Sequence, residues 1–120
     1  MAVSIAELIQ KKEELANRKK RQFDLQTSAG VMTVKLPTRA LIAEATDLET
    51  GSDDYILMNT IVAPDLSDKE LQKAYGCVEP TDIVGKIFDA GEIVQIVRKI
   101  MELAGWRQDI QADLHEEVKN

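Results

Sequence analysis

The chain has 120 residues, 44% hydrophobic and 30% charged, which suits one globular core and excludes a disordered chain or two full domains. Its formal net charge of −6 disfavours general affinity for the phosphates of nucleic acids. One cysteine excludes an intrachain disulfide and one histidine excludes the common zinc spacings, so a reduced, cytoplasmic protein with no metal and no cofactor is expected.

No apolar run approaches the roughly 20 residues that cross a bilayer, so no membrane association is expected. The opening MAVSIAELIQKKEE lacks the basic-then-apolar order of a secretory signal. Aromatics amount to only 4%, so the core must be built from Leu, Ile, Val and Met.

Ser4-Ile5-Ala6-Glu7 has the form of a capping box, in which two side chains satisfy the first backbone donors of a helix. Behind it Ile5, Leu8, Ile9, Leu15 and Ala16 recur at helical spacing. The stripe then gives way to Arg18, Lys19, Lys20 and Arg21. Positive charge there complements the helix dipole, and the same four residues are available to an acidic partner.

The period then changes. QFDLQT (22–27) alternates Phe23 and Leu25 with polar neighbours, and VMTVKL (31–36) alternates Met32, Val34 and Leu36. Thr27 to Gly30 is turn-forming, so a β-hairpin is expected, and a lone hairpin must lay its apolar face on helices. Pro37 ends the second strand and opens a helix whose buried stripe is Leu41, Ile42, Ala45 and Leu48. Gly51 to Asp54 breaks that helix and caps YILMNTIVA (55–63), read as the central core helix in preference to a β-branched strand.

Pro64 stops this element, and Ser67 to Glu70 reads as a second capping box. Asp89 to Glu92 offers a third, opening a deeply buried helix with Ile93, Val97, Ile100 and Ala104 on one face and Gly105 as C-cap. The tail retains Ile110, Leu114 and Val118 at i, i+4, i+8, so residues 106–120 read as a frayed or partner-dependent helix within the single domain 1–120. The fold class expected is mainly α (α+β), a helical domain of about five to six helices with one small N-terminal β-hairpin.

Catalytic constellations are hard to assemble. Cys77 has no histidine near it in sequence, and the neighbouring carboxylates Glu79 and Asp82 disfavour a thiolate, so it reads as a small apolar residue at a helix junction. Residues 41–70 hold eight acidic residues against one basic, yet Asp47, Glu49, Asp53 and Asp54 lack the alternation and central glycine of an EF-hand. A solvated acidic face accounts for them. The six glycines are scattered singly, so no phosphate loop exists. The chain reads as no enzyme.

Residues 67–88 admit a helix-turn-helix, and a small DNA-binding regulator is the alternative reading. Against it, PTDIVGKIF carries Asp82, one Lys86 and mostly apolar side chains, with neither Arg nor Asn/Gln to read base edges. The local physics is a tight corner. Gly76 ends one helix, Pro80 holds Glu79 extended, and Thr81 and Asp82 open the next. Tyr75, Val78, Ile83, Val84, Ile87 and Phe88 are the apolar residues gathered by that bend, as a satellite of the core or as a groove for another chain.

LQKAYGCVEPTDIVGKIFDAGEI, with the earlier LPTRALIAEATDLE and YILMNTIVAPDLSDKELQ, resembles the XkdN-like family of phage tail assembly chaperones. The resemblance runs in order through residues 5 to 104 and weakens past Trp106. It implies a non-catalytic assembly factor that acts in the cytoplasm of the bacterial host and is absent from the mature virion. The implied partner is the tape measure protein, kept soluble while the tail tube forms, with the tail tube protein as a second partner and self-association compatible with the role. The contact residues expected on this reading are Arg18, Lys19, Lys20, Arg21, Tyr75, Val78, Ile83, Ile87 and Phe88.

Overall fold

A computed structural model describes residues 1–106 and 109–116, which form seven α-helices and one three-stranded antiparallel sheet. In chain order these are α1 (Ile5–Gln10), α2 (Lys12–Lys19), β1 (Gln22–Thr27), β2 (Gly30–Lys35) and α3 (Arg39–Thr46). They continue as α4 (Ser52–Thr60), β3 (Ile61–Ala63), α5 (Lys69–Ala74), α6 (Asp82–Ile87) and α7 (Ala90–Leu103). The fold is therefore mixed α+β, with more sheet than a hairpin alone.

The hairpin forms as its alternation dictates. Phe23 pairs with Val34 and Leu25 with Met32, which puts all four on one face. Gly30 takes φ +119°, a conformation that a side chain would oppose. Met32 and Val34 are buried, and Phe23 and Leu25 pack against them from the edge strand.

The third strand departs from expectation. Residues 55–63 divide between α4 and β3, the last three joining β2 with Ile61 opposite Val34 and Ala63 opposite Thr33. β-Branched Ile61 and Val62 ahead of Pro64 suit an extended edge better than a last helical turn. Helix α4 still supplies the centre of the core, with Leu57 fully buried beside Ile83, Val84, Phe88 and Ile100. Buried Thr60 donates its hydroxyl to the Ile56 carbonyl at 2.7 Å, so no polar cost remains there.

Several helix ends shift by a residue. The Ser4–Glu7 box forms as read. Around α5, however, Asp68 and not Ser67 is the N-cap, its carboxylate accepting from Leu71 N–H at 3.0 Å. Pro37 precedes the cap of α3, which is Thr38. Of the stripe expected on α3 only Ala45 is buried, and Leu48 lies beyond the helix, exposed. On α7 the deepest residues are Ile96 and Ile100, with Ile93 and Val97 half-buried and Val94 in solvent. Both Gly76 and Gly105 close Schellman turns, the amides of Cys77 and Trp106 reaching the carbonyls of Gln72 and Met101 at 3.0 Å each. Residues 109–116 form no helix, and the remainder of the expected tail helix, Val118 included, lies outside the described residues.

Candidate functional site

Two surfaces contain the residues singled out by sequence, and a third lies beside them. The first is the arm made by α1 and α2, which buries no residue at all. Ile5, Leu8 and Ile9 are 79%, 49% and 66% exposed, so among the described residues nothing covers the apolar stripe that would normally fold this helix onto a core. Arg18, Lys19, Lys20 and Arg21 follow it and are all exposed. Apolar stripe and basic end thus lie on one projecting element.

The second is the corner between α5 and α6. The Asp82 carboxylate accepts from the backbone N–H groups of Val78 and Glu79 at 3.0 and 2.9 Å, which fixes the bend. Those two bonds, chiefly the one from Glu79, hold its pKa below the ordinary aspartate value. Gln72 adds a clasp from the other side, donating from Nε2 to the carbonyls of Leu66 and Pro80.

The bend does not gather a single apolar surface. Ile83 and Phe88 are 0% and 3% exposed, inside the core, so these two of the expected contact residues are unavailable to a partner. Ile87 is half-buried, while Tyr75 and Val78 stay outside at 44% and 93% exposure. Burial of Ile83 and Val84 likewise takes the side of α6 that a DNA-reading helix would need free. Cys77 is half-buried against core residues, in keeping with a packing role.

The third surface was not foreseen. A groove of about 690 Å³ lies between the end of α2, the β2–α3 link and the end of α7. Leu36, Pro37, Ile42 and Trp106 supply its apolar lining, and Lys19 and Arg39 bring two cations to it. Trp106 also borders a smaller groove of about 300 Å³ along α7 with Val94, Val97 and Arg98. The signal in sequence was the single tryptophan placed directly after a helix-ending glycine. An apolar ring left at a helix end marks either a core anchor or a docking wall.

The acidic stretch between α3 and α5 contains two titrating groups with shifted pKa values. Among the described residues no group of three or more His, Cys, Asp or Glu is placed to hold a metal ion. Asp54 has its pKa raised, first by burial and then by the neighbouring charges of Asp53 and Asp82. Tyr55 donates its hydroxyl to Glu44 at 2.5 Å, tying α4 to α3, and that bond raises its pKa. These are structural contacts. No described helix is long and apolar enough to cross a membrane.

Comparison with known proteins narrows what such surfaces serve. Residues 44–119 match the sequence model of a family described as phage XkdN-like tail assembly chaperone protein. The match begins after the hairpin and takes in the α5–α6 corner and the tail past Trp106; it leaves outside the arm and most of the groove lining, from Lys19 to Ala43. No curated protein matches the chain. Among solved structures, the crystal structure of the protein yqbn superposes with a TM-score of 0.58 at 22% identity, covering 72% of this chain and 86% of that one. At that identity the likeness concerns the fold.

Proposed function

Because the chain belongs to the XkdN-like family of phage tail assembly chaperones, we propose that it binds the tape measure protein and keeps it soluble while the tail tube assembles around it. The observation that carries this reading is the α1–α2 arm, a helical element with an apolar stripe and no buried residue. Exposed apolar stripes of this kind are the surfaces at which a protein meets another chain. A long helical client presents stripes of the same kind, and helix-on-helix contact along i, i+3, i+4 positions covers both.

Charge divides the labour. The basic run Arg18 to Arg21 at the arm's end is suited to acidic stretches of the client, and the acidic remainder of the molecule keeps the complex dispersed. No bond is made or broken in such a cycle. The same reading places the chain in the host cytoplasm and outside the finished virion, with the tail tube protein as the second partner.

Co-expression with the tape measure protein of the same phage tests the proposal. The expected result is a soluble client that co-purifies with the chain. A client equally soluble without it would end the reading. Replacing Ile5, Leu8 and Ile9 with Asp should release the client while leaving the fold intact, because none of the three contributes to the core.

A further inference from the structure

The groove beside Trp106 has an apolar floor and two cations, and it is open in the structure. The chain leaves it in an unusual way. After Trp106, itself 52% exposed in the groove wall, come the acidic residues of the tail together with Ile110 and Leu114, 92% and 91% exposed. Two large aliphatic side chains at i, i+4 make one stripe of a helix, and Asp109 and Asp113, also at i, i+4, make a parallel stripe beside it. Apolar residues flanked by carboxylates are the complement of an apolar floor flanked by Lys19 and Arg39.

We propose that this groove is the docking site of the chain's own tail: residues 109–116 fold into it as a short amphipathic helix. Ile110 and Leu114 enter the apolar floor against Leu36, Ile42 and Trp106, and Asp109 and Asp113 meet Lys19 and Arg39. The tether is short enough. Ile110 follows Trp106 by four residues, a reach of at most roughly 13 Å, so the tail starts at the mouth of the groove it fills.

A segment this short has no stable helix alone, which agrees with the irregular, exposed course of residues 109–116. Docking supplies what the isolated segment lacks, and covalent linkage gives it a high effective concentration at the groove. The consequence is a surface covered in the resting chaperone and opened when the tail is drawn away. This inference stands apart from the identity of the client, since both halves of the contact belong to one chain.

Trp106, the sole tryptophan, reports on it directly. In the wild type its emission should be blue-shifted and shielded from acrylamide, independently of protein concentration. The double substitution Ile110→Asp/Leu114→Asp should red-shift it and raise quenching. Both positions are over 90% exposed, so loss of folding would not explain the change. Asp109→Lys/Asp113→Lys should do the same, and Lys19→Asp/Arg39→Asp combined with it should restore the shielded emission. Identical spectra for wild type and the Ile110/Leu114 variant would overturn the proposal. A shift that vanishes on dilution would overturn it too, by assigning the contact to the tail of a second copy.

Discussion

Ser28, in the hairpin turn, is bonded twice to Glu92, in the first turn of α7. Its amide donates to Oε2 at 2.9 Å and its hydroxyl to Oε1 at 2.5 Å. The carboxylate expected to close a capping box with Asp89 reaches across to the sheet instead, and Asp89 makes no side-chain cap. Sixty-four residues apart in sequence, the two pin the hairpin's far end to the longest helix. Both bonds favour the charged form of Glu92, the hydroxyl bond foremost, and hold its pKa below the ordinary glutamate value.

Glu92→Gln should therefore loosen the turn without unfolding the core. The expected outcome is faster amide exchange at Ser28 and Gly30 with exchange at Leu57 unchanged. Equal protection at the turn would mean that the register of the strands alone holds it.

Asp82 gives the corner a pH signature. Its folded pKa lies below the unfolded value, so its stabilisation is complete above roughly pH 4 and is lost as pH falls through the folded value. Urea midpoints of wild type and Asp82→Asn should differ at neutral pH and converge in acid. A constant difference across that range would show that the two backbone bonds carry no charge dependence.

Two substitutions separate core from surface at the same bend. Ile83→Ala removes a fully buried side chain and should cost about 2–5 kcal/mol in urea unfolding. Val78→Ala, at 93% exposure, should change stability by no more than about 0.5 kcal/mol. Comparable costs would mean that Val78 is covered in solution.

The glycines make a matched pair. Gly76 has φ +67°, and no neighbouring heavy atom lies within 4 Å of the point where a methyl group would stand, so Gly76→Ala should cost roughly 1–2 kcal/mol from backbone conformation alone. Gly85, inside α6 with equally open surroundings and no positive φ, should gain about 0.5–1 kcal/mol on change to Ala. Opposite signs from one substitution type would establish conformation, not space, as the deciding factor.

Local patterns carried far in this chain. The period-2 alternation of Phe23, Leu25, Met32 and Val34 specified both the hairpin and its inner face, because a one-residue slip would expose all four. Ser4, Gly76 and Gly105 announced helix ends that the backbone then forms, since caps answer needs within a turn or two. Where neighbours compete, the pattern failed by small steps: Asp68 displaced Ser67 as a cap, and Glu92 left Asp89 for Ser28.

The sequence by itself determined the helix-rich composition of elements, the hairpin and the family to which the chain belongs, all of which rest on short-range periodicity or on residue order. Tertiary structure alone decided which apolar residues were left over. Ile83 and Phe88 read like Ile5 and Leu8 on paper, yet the first pair fills the space beside α4 and α7 while the second meets no opposing surface among the described residues. Helical spacing says that a side chain has an apolar face to hide; only the packing of distant elements determines whether anything is there to hide it.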